Sequence, residues 1–155
     1  ASIRPGEAQR MSAGTGVRHS EMNHTADTAH LLQIWMLPAE RDLPPSYDQH
    51  AVDPADLRGR LHLVGAPAGS AQAAQATVAL NADVRLRIGR FDGPAERADL
   101  ALDPTRKAYV HLARGRLVVN GQPMRAGDAL AIAEETALAL SGGEDAEVLV
   151  FDLQA

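Results

Sequence analysis

Residues 84–91 read Val-Arg-Leu-Arg-Ile-Gly-Arg-Phe, an alternation of apolar and polar positions with a period of two. That period predicts a strand with Val84, Leu86 and Ile88 on one face and Arg85 and Arg87 on the other. The run from Lys107 to Ile132 breaks into three strand-like pieces, with turns expected at Arg114-Gly115 and at Asn120-Gly121. Asn-Gly is the strongest short hairpin signal in the chain, because both residues tolerate positive φ. From Glu135 onward, "ETALALSGGEDAEVLVFDL" predicts a further hairpin across Gly142-Gly143. Nearer the start, "HLLQIWML" (His30–Leu37) is continuously apolar and of strand length. It reads as a strand buried on both faces, or as a short helical segment, with Trp35 in the core.

The 13 glycines and 9 prolines lie at short intervals instead of pooling in one linker. Such spacing suits short strands joined by turns. Four prolines and many charges mark 38–60 as an ordered connection between two β units. Within it, Asp53 as N-cap, Pro54 at the first helical position and Gly59 as stop predict one helical turn. The chain is therefore expected to be all-β and antiparallel, closed or sandwiched so that its edges are hidden.

At 155 residues with 45% hydrophobic content, the chain is long enough to bury a substantial core. A formal net charge of −5 argues against direct nucleic-acid binding, which calls for a basic stripe. The arginines at 58, 60, 85, 87, 90, 114 and 116 are scattered, and read as solvated strand faces. Five aromatic residues are too few for a base-stacking surface. Without cysteine there are neither disulfides nor thiolate ligands, which fits a cytoplasmic setting. No apolar run approaches bilayer-spanning length, so no membrane partner is expected.

Candidate chemistry concentrates in "GTGVRHSEMN", Gly14 to Asn23. On a strand, His19 and Glu21 would point to one face. Neutral imidazole with carboxylate suits divalent first-row metals such as Fe, Mn, Ni, Cu or Zn. Gly14 and Gly16 would permit a tight turn placing this pair at a barrel mouth. The spacing alone recurs often by chance, and two ligands do not close a coordination sphere.

Gly16, His19 and Asn23 match Gly-x-x-His-x-x-x-Asn, the tail of the second cupin motif. The longer pattern "QRMSAGTGVRHSEMN…HLLQIWMLP…LPPSY" resembles the pirin family, including bacterial pirin-like quercetin 2,3-dioxygenases. "RKAYVHLARGRLVVNG…AGDALAI…EVLVFDL" is similar to the C-terminal cupin domain of the same family. The resemblance implies a bicupin, two double-stranded β-helix (jelly-roll) barrels packed together. Residues 1–37 would supply the last strands of the N-terminal barrel, 38–60 the proline-rich connection, and 61–155 a complete C-terminal cupin. In the family, three His and one Glu bind the metal, and two of these map to His19 and Glu21. The other two, a His-x-His pair, would fall upstream of Ala1. The resemblance thus implies a chain lacking the N-terminal part of the first barrel and carrying an incomplete metal site.

By the same resemblance the complete protein would be a metal-dependent dioxygenase that opens the heterocyclic ring of flavonols such as quercetin. Fe is the foremost metal expected, with Cu, Ni, Mn, Zn and Co acceptable. Glu21 would act as catalytic proton acceptor as well as ligand. Two alternatives stand beside this: a metal-binding regulator that meets protein partners or self-associates, and an inert cupin fragment. His24, His30, His50, His62 and His111 are not assigned as ligands. The second barrel's "GQPMRAGDALAI" lacks the histidine a metal-binding cupin would place there.

Overall fold

The structure is a computed structural model that describes residues 2–155. Its elements are nearly all strands. An N-terminal ribbon pairs β1 (Glu7–Ser12) antiparallel with β2 (Ser46–Ala51). A single helical turn, α1 (Pro54–Leu57), follows and leads into the larger sheet. That sheet contains β3 (His62–Pro67), β4 (Val78–Leu80), β5 (Val84–Gly93), β6 (Ala98–Ala101), β7 (Lys107–Val119), β8 (Gln122–Arg125), β9 (Ala129–Ala133) and β10 (Ala137–Leu153). Its hydrogen-bonded order is β4-β3-β5-β10-β7-β8, with β6 also on β10 and β9 also on β7. This all-β, mostly antiparallel architecture agrees with the sequence reading.

The local signals explain several elements directly. Asp53 caps α1 by accepting a 2.9 Å hydrogen bond from the Ala55 amide, with Pro54 next to it and Gly59 at φ +63° just beyond. Asn120 (φ +46°) and Gly121 (φ +79°) form the two-residue turn from β7 to β8. The Asn120 side chain also ties that turn to β10, donating to the Ala137 carbonyl (3.1 Å) and accepting from the Ala139 amide (2.7 Å).

Other expectations are overturned. Arg114-Gly115 is not a turn: β7 runs through it, and the register with β10 shifts there. Gly142-Gly143 likewise lies inside one long strand, bent and not reversed. At both places an alternating pattern interrupted by glycine produces a bulge, because the flanking residues keep their ladder partners. The stretch 38–60 is more than a connection, since β2 lies within it and pairs with β1. His30–Leu37 forms neither strand nor helix. It has no ladder partner among the described residues, so Trp35 is 88% and Leu37 92% exposed. An apolar run becomes a buried strand only where it pairs with an edge, and this one joins neither side of the β1–β2 ribbon.

Two apolar clusters lie on opposite faces of the main sheet. One fills the barrel: Phe91, Val110, Leu112, Leu117, Val119, Leu138, Leu140, Val148 and Val150 are almost wholly buried there. Fully burying each such side chain stabilises the fold by about 1.5–3 kcal/mol. The other lies outside the barrel wall, where Val64, Leu86, Leu149 and Phe151 meet Val52 and Leu57, with Ala8 and Met36 packed against them. This second cluster seats the N-terminal ribbon on the barrel. Val84 and Ile88 belong to it, as their alternation predicts. Arg85 and Arg87 therefore share the barrel's inner face with Phe91, and they are half-buried instead of solvated.

Candidate metal centre

The segment between β1 and β2, residues 13–45, contains no strand or helix. Its geometry is set by a few tight contacts. Gly14 (φ +53°) passes so close to β2's approach that a Cβ would lie 1.9 Å from the Leu43 carbonyl oxygen. Only glycine fits there. The Thr15 amide donates to that same carbonyl at 3.1 Å, and the Gly16 amide closes a turn onto Ala13 at 2.8 Å.

Beyond this turn the chain passes through His19 and Glu21 to Asn23 without regular secondary structure. Asn23 ends the run: its Oδ1 accepts from the Thr25 amide (3.0 Å) and hydroxyl (2.9 Å), and its Nδ2 donates to the Asp27 carbonyl (2.7 Å). The Gly16 and Asn23 positions of the motif are thus the ends of a short, fixed run. Farther along, Asn81 holds the segment to the barrel. Its Nδ2 donates to the Glu40 carbonyl (2.9 Å), its Oδ1 accepts from the Glu40 amide (3.4 Å), and its own carbonyl accepts from Ala39 (2.8 Å). Sequence reasoning missed this clamp, because an isolated Asn in a turn gives no sign of a partner forty-one residues away.

His19 Nδ1 and Glu21 Oε1 lie 4.0 Å apart, with side chains 40% and 46% exposed. The two expected ligands lie near each other, although on a loop and not on a strand. A cation about 2.0–2.2 Å from each donor needs them roughly 3.0–3.4 Å apart, within reach of a small rotation of either exposed side chain. Imidazole nitrogen with carboxylate oxygen fits a divalent first-row metal. The pair would fill two positions of such a sphere, and no group of three or more His, Asp or Glu among the described residues is placed to hold a metal ion.

Three of the other histidines have side-chain partners away from this pair. His50 Nε2 meets Asp48 Oδ1 at 2.7 Å, His62 Nε2 meets Thr77 Oγ1 at 3.0 Å, and His30 Nδ1 lies 3.5 Å from an Arg114 nitrogen. His111 stands on β7 opposite Ala129 and Leu149. Around the His19–Glu21 run, Val17 and Met22 are exposed, as are Leu31, Ile34 and Trp35 of the unpaired apolar stretch. No helix among the described residues is long and apolar enough to cross a membrane.

Comparison with known proteins places this geometry in a family. Residues 1–36 match the pirin family model, and residues 68–153 match the model of the quercetinase C-terminal cupin domain. A quercetin 2,3-dioxygenase of Escherichia coli K12 is 34% identical over 150 residues, covering 96% of this chain and 61% of its own length. The chain thus spans about three-fifths of the curated relatives it matches. The crystal structure of YhhW from E. coli superposes with a TM-score of 0.86 at 32% identity, over 97% of this chain and 62% of that one. The nickel(II) complex of the same bacterial pirin gives 0.84 at 33% identity, over 96% and 62%. With both of its segments matched and its barrel superposed, this chain belongs to the pirin family of cupins.

Proposed function

We propose that this chain carries part of the metal centre of a flavonol-opening dioxygenase, acting on quercetin or a similar small aromatic substrate. The observation that carries the reading is the convergence of His19 and Glu21 to 4.0 Å on a run fixed by the Gly14 turn and the Asn23 knot. His19 supplies a neutral nitrogen donor and Glu21 an anionic oxygen donor. The remaining donors come from outside the described residues, in keeping with relatives that are longer than this chain. Iron is the first candidate, and the nickel bound by the related E. coli pirin fits the same donors.

A divalent cation bound there would lower the pKa of a coordinated flavonol hydroxyl. Glu21, part-exposed, can accept the proton that the hydroxyl gives up. Val17 and Met22 offer apolar contact to a flat aromatic ring beside the pair. The half-exposed pair sits where a substrate can reach it without rearrangement of the barrel.

Oxygen uptake with quercetin, measured alongside metal content, tests the proposal. The expected result is uptake by the metal-loaded protein that disappears in Glu21→Ala. Metal bound at one per chain without turnover would instead favour the regulator reading, and turnover that survives Glu21→Ala would remove Glu21 from the chemistry.

A further inference from the structure

A second feature of the fold lies in the C-terminal barrel, at the end where β5 starts and β10 finishes. Arg87 sits opposite Val150 of β10 and Leu63 of β3, and Arg85 sits opposite Asp152. Val150 and Asp152 in turn face Val110 and Ala108 of β7. Along β10 the inner face passes from apolar core at Val150 to charge at Asp152, two residues on.

Three guanidinium groups gather at this end, and their partners are unequal. Arg85 Nη1 meets Asp152 Oδ2 at 3.1 Å. Arg106 takes the other Asp152 oxygen through its Nε, and meets Asp83 Oδ2 at 2.9 Å and Oδ1 at 3.1 Å. Both acids are therefore occupied. Arg87 has no carboxylate within 4.0 Å among the described residues, although its side chain is half-buried. Burial works against its charge, and Arg85 beside it adds to that, so its pKa is pushed down despite the more distant Asp152. Asp103 is turned to Thr105 at the rim, bonding its amide and hydroxyl.

A half-buried guanidinium whose local acids are already paired is an anion receptor in waiting. The fork geometry of Arg matches a carboxylate in two parallel hydrogen bonds. Leu63, its partly buried ladder neighbour on β3, adds apolar surface that a bare inorganic anion would not use. We propose that this end of the barrel binds a small organic carboxylate with an apolar body, and that Arg87 is the group that receives it. The site is separate from the His19–Glu21 pair and does not depend on a metal.

Benzoate titrated into the folded protein at low chloride, followed by NMR of the backbone amides and the Arg87 Nε–H, tests this. The expected result is a saturable shift at Arg87 and at Leu63 and Val150. Arg87→Met, which keeps an apolar stem, should weaken binding by at least roughly tenfold. Arg87→Lys, which keeps the charge without the fork, should fall between the two, and it serves if the Met variant does not fold. His19→Ala should leave benzoate binding unchanged, which separates this test from that of the metal centre. An Arg87 signal unmoved by benzoate, or Arg87→Met binding like the wild type, would overturn the assignment. So would a response to inorganic phosphate with none to benzoate.

Discussion

Replacing Gly115 by alanine probes the place where β7 and β10 depart most from the sequence reading. Gly115 has φ +70°, a conformation that costs an L-residue about 1–2 kcal/mol. Its new Cβ would also lie 2.2 Å from the carbonyl oxygens of both Glu144 and Asp145. These are backbone atoms of the facing bulge and cannot swing away as a side-chain tip could. Forcing them apart adds about 1–3 kcal/mol, the usual range for overpacking. Gly121 provides the control: its φ is +79°, but nothing lies within 4 Å of a Cβ there. Gly121→Ala should therefore show the conformational cost alone, about 1–2 kcal/mol, and Gly115→Ala roughly 2–5 kcal/mol. Urea unfolding followed by circular dichroism measures both, and the lower midpoint should belong to Gly115→Ala with a slope near that of the wild type. Equal losses for the two variants would refute the claim that the paired bulges are in backbone contact.

Two further outcomes follow from contacts away from the barrel core. Asn81→Ala should raise amide exchange at Glu40 by roughly fivefold, the effect of losing about 1 kcal/mol of clamp, while the barrel amides exchange as before; uniform acceleration would show that the clamp is not local. Hydrogen bonding from Arg106 holds the Asp83 carboxyl below the ordinary carboxylate range. Its contribution to stability is then complete above the unfolded-state value of about 4 and lost as pH falls through the lower folded-state value. The stability gap between wild type and Asp83→Asn should accordingly close on acidification below about pH 4, and urea midpoints that diverge there would contradict the pairing.

Much of the fold could be read in the sequence because its signals are local. The Asn120-Gly121 turn, the Asp53 cap and the alternation of Val84, Leu86 and Ile88 each depend on neighbours a few residues away. What failed depended on distant partners. Glycine at 115 and at 142–143 is consistent with either a reversal or a bulge, and only the facing strand decides between them. The apolar run at 30–37 has a strand's composition but pairs with no strand among the described residues. Arg85 and Arg87 looked solvated because scattered arginines usually are, whereas the β-ladder assigns them to the inner face beside Phe91. At the candidate metal centre, the residue types and the Gly-x-x-His-x-x-x-Asn pattern pointed to His19 and Glu21, but not to their place on a loop. The Asn23 knot and the Asn81 clamp that hold its surroundings carried no comparable pattern.

The central claim is that His19 and Glu21 are inner-sphere ligands of one cation, and calorimetric titration of nickel(II) into the protein expressed from its native reading frame tests it most directly. The account predicts one site per chain, weakened in both His19→Ala and Glu21→Gln by more than the roughly 10–100-fold typical of losing only an outer-sphere contact. Wild-type protein that takes up no metal, or variants that bind it as tightly as the wild type, would contradict it.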